Sequence, residues 1–131
     1  MAELTAIRQA LADALQDNIA DLQASPYPLS SPEPPAAHVV PDEQLFHQAF
    51  GDGMEQWSFR VQVFLAFVDD IGAQRKADQF LDDGLVRLAL EADPTLGGLV
   101  ADLIVDRALF RLWEPAGVPM VGAEWFLRIL I

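Results

Sequence analysis

The chain has no cysteine, one tyrosine, two histidines and only eight basic residues against twenty acidic ones. Each scarcity removes a class of function. Without cysteine there is no disulfide framework, no thiolate nucleophile and no thiolate metal site, although a cysteine-free chain fits any redox compartment. A net charge of −12 opposes a grip on nucleic acid, because neutralising phosphates takes Lys and Arg. Acidic surfaces keep proteins soluble, and they also suit a wall that DNA must slide past; composition does not choose between the two. The longest uninterrupted apolar run, Val63 to Val68, is far short of the ~20 residues that span a bilayer, so no membrane partner is expected. Met1 to Leu4 has neither the basic start nor the apolar stretch of a signal peptide, which makes synthesis in the cytoplasm the expectation.

What the chain does have is apolar patterning. Its 131 residues suit one domain, 1–131, with one core. Trp57, Phe59, Val61, Val63, Leu65 and Phe67 alternate with Ser58, Arg60 and Gln62, the period of two of a half-buried strand, and the pattern predicts a strand over about 55–68. Phe64, Ala66 and Val68 make its second half apolar on both faces, as in a strand that lies centrally or under a helix. Leu4, Ile7, Leu11 and Leu15 predict an amphipathic helix over 3–17, with Thr5 as a candidate cap and a stop near Asn18. Residues 19–24 are short enough for a strand. From Ser25 to Pro41 come six of the nine prolines, so 25–41 is expected to be a long loop or extended arm rather than a helix or a central strand. Tyr27, Leu29, Val39 and Val40 would give that arm apolar anchors for a partner.

Asp42 to Phe50 suits a short helix capped by Asp42, broken by Gly51-Asp52-Gly53. Asp69-Asp70 leads into a helix over about 73–82, and Gly84 separates it from a second over 85–92. Ala77, Phe80, Leu81, Leu85, Leu88 and Ala89 are the expected buried stripe. Asp93-Pro94 stops the helix, and Gly97-Gly98 releases a strand over about 99–114. Pro115 to Gly117 reads as a hairpin turn. In the closing strand Val121, Ala123, Trp125, Leu127, Ile129 and Ile131 face one way, Gly122, Glu124 and Arg128 the other. The order predicts an α+β domain: an antiparallel or mixed sheet with helices packed on one face.

Chemistry is sparse. His38 and His47 neighbour no nucleophile in sequence, so each is expected to be solvated or at an interface. The pairs Asp69/Asp70 and Asp82/Asp83 diverge as neighbours do, which favours capping over metal binding. The glycine pairs lack the lysine of a phosphate loop. Trp57, Trp113 and Trp125 sit at strand spacing, where aromatics are core. No catalytic residue, cofactor or metal is expected, and the chain reads as no enzyme. The unusual feature is a second apolar strand face, Ile104, Phe110, Leu112, Phe126 and Leu130, which neighbouring copies would cover. Candidate assembly contacts are Tyr27, Leu29, Val39, Phe110, Leu112 and Phe126.

The alternating strand with Trp57, the Ala73-Gln74 helix start after Asp69-Asp70, the run from Leu90 to Gly98 (Leu-Glu-Ala-Asp-Pro-Thr-Leu-Gly-Gly) and the closing hairpin together resemble the tail terminator proteins of long-tailed, siphovirus-type phages, especially those of actinobacteria. The likeness spans roughly 42–131. Around Phe64 to Val68 and Ala108 to Leu112 the chain is more apolar than that family. The resemblance implies a tail-terminator-like fold and a homo-oligomer, a hexameric ring at the head-proximal end of the tail tube. The ring would stop tube polymerisation and join the tail to the head-completion proteins, with DNA passing through its lumen without specific binding. It implies a virion protein assembled in the host cytoplasm, without catalytic residues or cofactors. The neighbouring reading is another head-tail connector, an adaptor or stopper; the reading outside phages is a protein-binding module that docks a partner on its apolar strand face. An enzyme would need His38 or His47 to meet carboxylates in a pocket.

Overall fold

The computed structural model describes residues 3–46 and 55–131. Along the chain run α1 (Leu4–Asn18), β1 (Gln23–Ser25), β2 (Ala36–Phe46), β3 (Glu55–Phe67), α2 (Ile71–Asp82), α3 (Leu85–Glu91), β4 (Asp102–Trp113) and β5 (Met120–Leu130). The five strands form one mixed sheet in the order β1-β2-β3-β5-β4, antiparallel except for the parallel β1–β2 pair. The α+β class with a mixed sheet is the one expected from the sequence. Ile7, Leu11 and Leu15 of α1 meet Val61, Val63, Trp125 and Leu127 of the sheet in a single core. Full burial of each such side chain stabilises the fold by roughly 1.5–3 kcal/mol.

Local chemistry sets the helix ends. In α1 the cap position is Glu3, extended and without a side-chain bond; Thr5 lies inside the first turn instead of capping it. At the other end Asn18 turns its amide back onto the Ala14 carbonyl, 2.7 Å away. Asp70 caps α2 by accepting from the Ala73 N–H at 2.9 Å. Gly84, left-handed at φ 62°, separates α2 from α3. The expected stripe holds at Ala77 and Ala89, but Leu88 is exposed, and Val86 and Leu90 fill the core instead.

Three expectations about the strands are corrected. First, the proline segment is an arm only over 26–35, because residues from Ala36 onward form β2, which lies between β1 and β3. Pro41 is tolerated because β1 reaches only His38, which leaves the outer side of β2 free there, and because the register slips between Pro41 and Glu43. Second, Asp42 to Phe46 are strand and not the start of a helix, since they continue the pairing with β3 as far as Phe46 opposite Glu55. Cross-strand packing has overridden local preference. His47, the rest of that expected helix and the Gly51-Asp52-Gly53 turn lie outside the described residues. Third, β4 begins at Asp102 instead of Leu99. The Asp93 carboxylate accepts from Thr95 Oγ1 at 3.0 Å and from the Gly97 N–H at 2.8 Å, and Leu96, Gly97 and Gly98 all take left-handed φ, so the turn outlasts the glycines.

The hairpin at Pro115 forms as expected, through a short 3-10 turn, Pro115–Gly117. A bulge at Asp106 has a larger consequence. The register of β4 on β5 shifts between Val105 and Arg107. One extra residue flips every later side chain to the opposite face. Ile104, Phe126 and Leu130 therefore stay on the face away from the helices, while Phe110, opposite Ala123, and Leu112, opposite Val121, move to the helix side. The single apolar face expected for these five residues is split in two.

Candidate assembly surfaces

The sheet face that no described helix covers has a polar centre. Glu124 is 1% exposed in the middle of β5, opposite Gln62 of β3 and Leu109 of β4. Its carboxylate accepts from Gln62 Nε2 at 2.8 Å, from Arg111 at 3.0 and 3.3 Å, and from Arg60 at 3.3 Å. A buried carboxylate needs such partners, because an unpaired charge out of water is costly. Arg60 also lies 3.8 Å from Asp42, beyond hydrogen-bond reach, and its Nε is buried without a partner. Arg128 Nε shares its proton between both Asp106 carboxylate oxygens at the bulge, at 2.8 and 3.0 Å, and the Arg107 guanidinium lies 4.1 Å over the Phe126 ring. Four of the eight basic side chains, Arg60, Arg107, Arg111 and Arg128, thus share this one face of an acidic chain.

His38 extends the network to the proline segment. It is buried, where a solvated or interface residue was expected. Nδ1 accepts the Leu29 N–H at 3.0 Å, so the ring proton sits on Nε2 and is shared with Gln62 Oε1 at 2.6 Å. Burial pushes the His38 pKa down, against a smaller upward pull from the bond to Gln62. A continuous chain of bonds therefore runs from Leu29 through His38 and Gln62 to Glu124. It fastens residues 26–35 to the sheet. Arg8 holds their start, donating to the Pro26 carbonyl at 3.1 Å and lying 4.6 Å over the Tyr27 ring, and the Gln23 N–H holds their far end, donating to the Pro35 carbonyl at 3.2 Å.

The six expected contacts fall in four places. Tyr27 is exposed and Leu29 half-buried on the fastened proline segment. Val39 is 0% exposed in the sheet, so it cannot meet a partner; it belongs to the core because β2 runs beneath α1. Phe126 is half-buried under Arg107 on the bare face. Phe110 and Leu112, 77% and 68% exposed, flank a groove between β4 and α2 of about 640 Å³. β4 is the last strand of the sheet, with its outer edge unpaired among the described residues.

Sequence reading missed the Glu124 network. Arg60, Gln62 and Glu124 sit at polar positions of alternating strands, which reads as solvent contact, and only the β3–β5 register places Gln62 opposite Glu124. Among the described residues no group of three or more His, Asp or Glu side chains could hold a metal ion, and no helix is long and apolar enough to cross a membrane. Comparison with protein-family models gives no match, and comparison with curated proteins gives none either.

Proposed function

We propose that this protein is a structural subunit that assembles with copies of itself into a ring, the tail terminator of a long-tailed phage. The observation that carries the assembly reading is the bare sheet face: helices cover one side of the sheet, and the other leaves Ile104, Phe126 and Leu130 only half-buried beside four arginines. A sheet with apolar residues on both faces needs cover on both. Head-to-tail contact between copies supplies that cover and, when the rotation closes, makes a ring. The arginines favour contact with an acidic surface, and a chain of net charge −12 offers one on each neighbour.

The step from ring to tail terminator rests on the resemblance in the Trp57 strand, the start of α2, the segment from Leu90 to Gly98 and the closing hairpin. In the fold, those last residues act as a turn held by Asp93 and Thr95. A ring of hexameric form on the tube end would stop further tube subunits from adding and present its far side to head-completion proteins. Its acidic remainder would let DNA pass. An adaptor or stopper, sitting one level nearer the head, is the neighbouring reading. Incubating the purified protein with tail tubes and imaging the ends separates the two: a terminator caps one end of bare tubes and halts their growth, whereas tubes that stay uncapped and keep extending remove the terminator assignment.

A further inference from the structure

The groove between α2 and β4 is a gap in the helix layer. α1 and α3 pack together, α3 lies on β4, and α2 lies on β3. Beyond α2 no described element covers the sheet. The groove is floored by Leu65, Ala77, Leu81 and Val121, and its outer wall is Phe110 and Leu112, the two most exposed large apolar side chains among those described, with Arg111 between them held by Glu124. The opposite rim carries Asp78 and Asp82 of α2. These two are four residues apart on one helix face, where like charges repel, and they stand in the second half of α2, where the helix dipole disfavours anions. Neither forms an ion pair among the described residues, while Gln79 and Asp83 bond to one another alongside. Apolar walls beside a doubly acidic rim are the complement of an apolar stripe flanked by cations.

We infer that this groove docks an amphipathic helix of a different protein, with its apolar stripe on Phe110 and Leu112 and its Lys or Arg side chains on Asp78 and Asp82. A second copy of this chain is a poor occupant. Each of its helices exposes a single large apolar side chain, Leu4, Ile71 or Leu88, and none presents a stripe; beside Leu88, Arg87 is held by Glu91 at 3.0 Å, and on α1 Arg8 is engaged with Pro26 and Tyr27. The inference does not depend on the ring reading, because the groove is complete within one chain.

The test uses two synthetic helical peptides of about 14 residues, each with one leucine stripe. One carries lysines on its remaining positions and the other glutamates. Titrated against the full chain, the lysine peptide binds and the glutamate peptide does not. The double variant Phe110→Ser/Leu112→Ser weakens binding by about tenfold or more, equivalent to about 1.4 kcal/mol. Asp78→Asn/Asp82→Asn weakens it by about fivefold and flattens its dependence on salt. Asp13→Asn/Asp17→Asn on α1 removes the same charge elsewhere and leaves binding unchanged. All the substituted residues are exposed, so thermal melts of the variants stay near that of the parent. Four outcomes overturn the inference: no binding of the lysine peptide, equal loss in the α1 variant, equal binding of a proline-interrupted peptide, or loss of self-association in the Phe110→Ser/Leu112→Ser variant. The last would make the groove a contact between copies, and the ring reading would stand without this inference.

Discussion

At the scale of single residues, His38 is where the physics is most exposed to test. Its ring is neutral in the fold because Nδ1 already accepts the Leu29 N–H, and a second proton there would break that bond and place a charge in a buried site. In the unfolded chain His38 titrates near 6.5, while in the fold burial holds it lower. As pH falls, the unfolded chain therefore takes up the proton first. This contribution to stability is whole above pH 6.5 and is lost progressively below it, until the folded His38 is itself protonated. One proton limits the slope to about 1.4 kcal/mol per pH unit. Urea midpoints measured between pH 8 and pH 5 should fall more steeply for the parent than for His38→Gln, with the two converging on the acid side. Parallel curves would show that His38 does not latch the proline segment.

At the scale of elements, the sheet is tightest where β3, β5 and β4 cross at Gly122. The Trp113 indole reaches across from β4 to donate to the Val63 carbonyl on β3, at 3.2 Å, and passes directly over Gly122. A Cβ at Gly122 would overlap the Val63 carbonyl and stand 2.8 Å from the indole nitrogen. Gly122→Ala should destabilise the fold by roughly 1–3 kcal/mol or more through forced displacement. Chemical denaturation reads this directly, and an unchanged midpoint would contradict the packing described. Gly122 shows the limit of sequence reading. Alternation along β5 and along β3 as far as Phe64, the helix stripe of Ile7, Leu11 and Leu15, and the Asp70 cap were legible, because periodicity and capping are local; past the register shift between Phe64 and Ala66 the β3 pattern reverses, so Ala66 is buried and Phe67 exposed. The three register shifts, at Pro41/Glu43, Phe64/Ala66 and Val105/Arg107, the strand character of Ala36 to Phe46 and the pairing of Gln62 with Glu124 were not, because each depends on which strand lies alongside. One inserted residue, Asp106, was enough to send Phe110 and Leu112 to the face opposite the one their parity implies.

At the scale of the whole molecule, charge and apolar area are unevenly divided. Half of the basic side chains lie on the bare sheet face, whereas the outward positions of α1 carry Asp13 and Asp17. A chain so divided presents unlike surfaces to an identical neighbour, the arrangement that head-to-tail association needs. The Glu124 network gives the bare face a fixed geometry, since Arg60 and Arg111 are held by one buried carboxylate instead of sweeping through solvent. The outer edge of β4 is a further border, unpaired among the described residues. The most direct measurement is the mass of the purified protein in solution as a function of concentration, by light scattering or native mass spectrometry. Self-association into a closed multiple of the 14.4 kDa chain, six copies on the terminator reading, is the predicted result. A single 14.4 kDa species that persists at high concentration would contradict it.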